Sequence, residues 1–172
     1  MTRTIIQMFV LAIVLVLAQV VCNKIILFNV AMPRVFIYLI LRMPMSWHSN
    51  ITMTVGFIVG LIVDIFNNTP GMNALSCTVL AGVRHTVFNA YVPREDEMTD
   101  PIPSIDSLGI AVYFKYMFTL VLIYCTLLFF IQAFTLRDVL LTLARIAAST
   151  VLTTIILLGV DSLVSTRREK GL

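Results

Sequence analysis

The run GFIVGLIVDIF, Gly56 to Phe66, is apolar except for Asp64. An ionisable group in such a run can bind a cation, relay a proton, pair with a base or order neighbouring helices. Gly56, Gly60 and Asp64 are spaced by four, which puts them on one face of a helix. Glycines at that spacing let a second helix approach closely. The pattern predicts a helix-packing or partner-docking face with a carboxylate at its end. Substrate or proton handling has less support. The alternative is that Asp64, one turn from Asn67 and Asn68, only caps or hydrates the outer end of its helix.

Arg84, Arg145 and Asp161 also fall inside apolar segments and are candidate members of intramembrane ion pairs. Arg84 could instead extend toward the cytoplasmic surface, which requires no function. Arg145 stands about two turns inside its segment and is harder to account for in that way. Lys115, between Tyr113 and Tyr116, has the pattern of an interfacial anchor. Cys22, Cys77 and Cys125 lie in apolar runs without CxxC spacing, and read as small buried hydrophobes. His48 and His85 stand alone, and no nucleophile elbow or phosphate loop occurs. The expectation is a protein that is not an enzyme and uses no metal or cofactor.

These residues must be held by membrane helices. Of the 172 residues 59% are hydrophobic and 12% charged, the latter about half the share of a soluble domain. The apolar residues come in long blocks with no period of two, and mean hydropathy is +0.99. The fold class expected is an all-α integral membrane protein with about six transmembrane helices. Spans are expected at 5–21, 25–43 (broken at Pro33), 51–66, 72–91, 108–134 and 139–163. An acidic cytoplasmic loop, 92–107, and a basic tail, 164–172, complete a single domain over 1–172. The helical part after Pro33 should be roughly 15 Å long, half the hydrocarbon thickness, so this segment is a broken crossing or a re-entrant one. Trp47 should lie at headgroup level.

The first block imitates a signal peptide, but Val21 before Cys22 is a poor lipoprotein cleavage site, so a retained helix is expected. Lysine and arginine placement puts the acidic loop and the tail in the cytoplasm, with both six-span and five-span arrangements satisfying the rule. With six spans, Arg3, Arg42 and Arg94 fall inside and Lys24, Arg34 and Arg137 outside. No basic stripe interleaved with aromatics is present, which argues against nucleic acid as a partner.

The run GFIVGLIVDIFNNTPGMNAL resembles the signature region of the MreD family of bacterial rod shape-determining membrane proteins. The matching positions are Gly56, Gly60, Leu61, Asp64, Gly71 and Ala74. The resemblance extends more loosely over the whole chain, through its length, its spans and an early helix broken at proline. It implies an inner-membrane, non-enzymatic component of the cell-elongation machinery. Its partners would be an MreC-like protein, MreB, RodA, a class B penicillin-binding protein and membrane lipids. The family's helical arrangement is similar to the S components of energy-coupling-factor vitamin transporters. A small-molecule-binding transporter subunit is therefore the alternative expectation. The sequence departs from the family in a turn, NNTPG, poorer in glycine, and in a long acidic loop.

Overall fold

The computed structural model describes residues 2–22, 33–69, 71–92, 102–132 and 139–169. Within them the chain is helical, with no strand. The long helices are α1 (Thr2–Cys22), α3 (Ser49–Asn67), α4 (Met72–Tyr91), α6 (Ile110–Gln132) and α7 (Val139–Glu169). Two short ones, α2 (Ile37–Leu41) and α5 (Ile105–Leu108), precede α3 and α6. Three helical stretches are long and apolar enough to cross a membrane: Ser49–Asn67, Ile110–Gln132 and Thr142–Ser162. Met8–Val20 of α1 is a shorter apolar stretch. The sequence pattern expects a further crossing at 72–91. That helix is not among the three, because its inner side is polar, with Asn73, Ser76 and Arg84 all buried.

Helix boundaries follow local chemistry. Asn68 takes the left-handed conformation (φ 52°) that ends α3, and Gly71 (φ 74°) starts α4. Two left-handed residues so close together reverse the chain within NNTPG and lay α4 back along α3. At the other end Gly109 (φ 77°) separates α5 from α6. The crossing expected at 108–134 therefore begins two residues later than the sequence suggests, at Ile110.

The segment after Pro33 differs most from expectation. Pro33 and Arg34 are not helical, and α2 has 5 residues, about 7.5 Å of helix in place of the expected 15. Pro44 disfavours helical backbone at Met43, which stops α2 early. Pro33 to Pro44 are nevertheless buried throughout. The half-helix is a plug in the core of the bundle, in contact with α1, α4 and α6. Its irregular backbone is satisfied from outside: Gln19 Nε2 donates to Pro33 O (3.0 Å), and Val35 N donates to Gln19 Oε1 (2.8 Å). Backbone of this kind is tolerated at membrane depth only when buried in protein and supplied with partners. The part of the expected span at 25–32 lies outside the described residues, as does most of the acidic loop, 93–101.

Candidate functional site

The Asp64 face comes first. Gly56 and Gly60 are buried against α4. A Cβ on Gly60 would lie 2.6 Å from Ala74 Cα and 2.8 Å from Asn73 O, and one on Gly56 would lie 3.1 Å from Cys77 O. The two backbones touch there, so the groove on α3 is filled from within the chain. The same contact brings the start of α4 to the carboxylate of Asp64.

Asp64 Oδ1 accepts from Thr69 Oγ1 (2.7 Å), Asn73 N (3.1 Å) and Asn73 Nδ2 (2.8 Å), while Oδ2 accepts from Ala74 N (2.9 Å). Amides in the first turn of a helix have no partner within it. The residue that precedes α4 is Gly71, which has no side chain to offer. Asp64 supplies the cap from the neighbouring helix, and its negative charge meets the positive end of the α4 dipole. The network continues inward, since Asn73 Oδ1 accepts from Tyr124 Oη (2.7 Å) on α6. Among the described residues no arginine or lysine pairs with Asp64. Capping, the plainer of the two sequence readings, is what the carboxylate does, but across the helix pair instead of on its own helix.

The second cluster holds the plug. Arg84 is fully buried, and its Nη1 donates to Ile40 O (2.6 Å). Its Nη2 donates to Met43 O (2.7 Å) and Pro44 O (3.1 Å), with Met45 Sδ at 3.2 Å. Arg84 neither extends to the surface nor pairs with a carboxylate among the described residues, contrary to both readings of it above. It gathers the carbonyls that α2 leaves unsatisfied at its C-terminal end, where a cation is favoured. A planar fork with five donors can span such divergent acceptors, which an ammonium does poorly. Tyr116 Oη on α6 adds a longer bond to Leu41 O (3.4 Å).

Asp161 does form an ion pair, and its partner is Arg42 (3.4 Å), a residue that was not among the candidates. Tyr38 lies between them. Arg42 Nη1 donates to Tyr38 Oη, which donates to Asp161 Oδ1 (2.5 Å). All three side chains are buried. The spacing of Tyr38 and Arg42, one helical turn, was the sequence signal for this triad. It was obscured because Arg42 reads as a boundary charge. Arg34, expected on the outer surface, is also buried, with its amide donating to Thr153 Oγ1 (3.3 Å). Arg145 is exposed on the outside of α7, with no hydrogen bond or ion pair among the described residues. Lys115 is exposed on α6.

An apolar groove of about 420 Å³ runs between α1 and α3, lined by residues such as Phe9, Ile13, Met43, Trp47, Val55 and Ile62. Its walls offer no cluster of polar groups to orient a vitamin-like molecule. Among the described residues no group of His, Cys, Asp or Glu is arranged to hold a metal ion. Asp64, Arg84, Arg42 and Asp161 are engaged with backbone, with one another or with neighbouring polar side chains, and these contacts tie helices to one another. No family model, curated protein or solved structure matches the chain.

Proposed function

We propose that this chain is a non-enzymatic component of the bacterial cell-elongation machinery, an MreD-like protein of the inner membrane that organises MreC-like and peptidoglycan-synthase partners. The observation that carries the reading is the Gly56–Gly60–Asp64 face. Four of the residues that carry the resemblance, Gly56, Gly60, Asp64 and Ala74, join α3 to α4: Ala74 lies under Gly60 and donates its amide to Asp64. A rigid helix pair of this kind holds the remaining apolar faces in a fixed relation, as a scaffold requires. About six spans, counting α4 and the segment around α2, and a cytoplasmic acidic loop and tail belong to the same reading.

The test is complementation with co-purification. Expressed in a rod-shaped bacterium lacking its own MreD-like protein, the chain should restore rod growth and co-purify with the MreC-like protein. Cells that stay round despite normal membrane abundance would sink the reading. So would a vitamin-sized molecule bound one-to-one in the purified protein, which would make the chain a transporter subunit.

A further inference from the structure

The groove between α1 and α3 is a space that no described residue fills. Its walls include Ala12 and Leu17 of α1 and Val55 and Ile62 of α3. Its floor is formed by Leu39 of α2 and by Met43, both almost wholly buried. Since α3 is long and apolar enough to cross a membrane, the groove lies at hydrocarbon depth, with Leu17 and Ile62 exposed along its rim. Left empty, it would forfeit the dispersion contacts of its lining. Water is a poor filling, because a buried water needs several polar partners and these walls are apolar.

Size and polarity select the occupant. The groove follows α1 from Met8 to Leu17, about 13.5 Å of helix. That is close to the depth of one leaflet, half of a hydrocarbon core about 30 Å thick. A volume of about 420 Å³ over this length gives a mean cross-section of about 31 Å². A helix with its side chains is at least about 10 Å across, or about 80 Å² in section, so neither a partner's helix nor one from a second copy can enter. A single hydrocarbon chain can. The two ends of the groove also differ as the ends of a lipid do. One is at Trp47, flanked by the exposed Ser46 and His48, just before α3 begins. Indole suits the headgroup level, and the neighbouring hydroxyl and imidazole can donate to phosphate or ester oxygens. The other end, at Leu17 and Ile62, is apolar. We propose that this groove holds one acyl chain of a bilayer phospholipid, laid against Leu39 and Met43 with its head group beside Trp47. The site requires only the membrane fold and is independent of the elongation reading.

Trp47 is the single tryptophan of the chain, so its fluorescence reports on the groove. The test titrates phosphatidylcholine, brominated near its ester groups, into the purified full chain in maltoside micelles. The expected result is quenching that saturates at one lipid per chain. Ala12→Phe and Val55→Phe each place a ring in the groove, from opposite walls. Either should raise the lipid concentration for half-quenching about tenfold, as for loss of about 1.4 kcal/mol. Val14→Phe, on α1 but outside the groove and 55% exposed, should leave it unchanged. Lipid should also raise the unfolding midpoint of the wild type and of Val14→Phe. The midpoints of the filled variants should not respond, and their cooperative unfolding without lipid shows that they fold. Quenching that never saturates, or that both filled variants leave unchanged, would overturn the proposal, since Trp47 would then see only surrounding lipid. Absence of quenching would overturn it too, giving the groove to a second copy if the protein is dimeric and to another part of the chain if it is monomeric.

Discussion

Asp64 and Arg84 are both charged groups in apolar helices, and both are neutralised by backbone and not by an opposite side chain. A carboxylate satisfies amides at a helix start, and a guanidinium satisfies carbonyls at a helix end. Each orphan group would otherwise be costly to bury. The glycines make this possible by bringing backbone within reach, and they should differ in tolerance. Gly60→Ala should destabilise the protein by about 3 kcal/mol or more, because the new Cβ meets the backbone of Ala74 and Asn73. Gly56→Ala, facing Cys77 O at 3.1 Å, should cost about 1 kcal/mol. Gly82→Ala meets only the flexible end of Met53, at 3.5 Å, and should gain up to about 1 kcal/mol from helix propensity. Thermal unfolding in detergent micelles gives the order directly; equal effects at all three sites would contradict the backbone contact described at Gly60.

At the scale of elements, the unusual part is α2, a half-helix buried on all sides and fastened from three directions. Arg84 on α4 holds its terminal carbonyls, Tyr116 on α6 reaches Leu41, and Asp161 on α7 holds Tyr38 and Arg42. A buried pair depends on both partners, because removing one leaves an unpaired charge in a low dielectric. Arg42→Met alone or Asp161→Leu alone should therefore destabilise by about 3–5 kcal/mol, while the double substitution should cost only about 1–3 kcal/mol, for the Tyr38 hydroxyl left without either partner. Unfolding midpoints for the four proteins of this cycle measure the coupling. Additive losses would mean that the triad is not a unit.

For the whole molecule, the contacts set which helix ends share a side. Asp161, near the C-terminal end of α7, meets Tyr38 and Arg42, and Arg84, near the C-terminal end of α4, meets the end of the same plug. The C-terminal ends of α4 and α7 are thereby brought to one side, with the start of α4 at the opposite one. Combined with lysine and arginine placement, the expected orientation has that shared side in the cytoplasm. Reporter fusions after Glu97 and Glu169 should both give cytoplasmic signals, and one after Asn68 an external one. Signals on different sides at Glu97 and Glu169 would be incompatible with the helix order found here.

The all-helical class and the limits of α3 and α4 were legible in the sequence. Hydropathy blocks and turn residues such as Asn68 and Gly71 act locally and carry their meaning with them. The four-residue spacing of Gly56, Gly60 and Asp64 likewise announced a packing face, since helix periodicity alone puts them together. What that face packs against was not legible, nor were the partners of the buried charges. Asp64 finds amides nine and ten residues away, Arg84 finds carbonyls about forty away, and Asp161 finds Arg42 across the bundle. Backbone acceptors look the same at every position in a sequence, so only the tertiary arrangement could select those of α2. Pro44 ends α2 locally, but that so short a helix can be buried was also decided there. Gln19 and Arg84 supply, from other helices, the hydrogen bonds that the irregular backbone on either side of α2 cannot make internally.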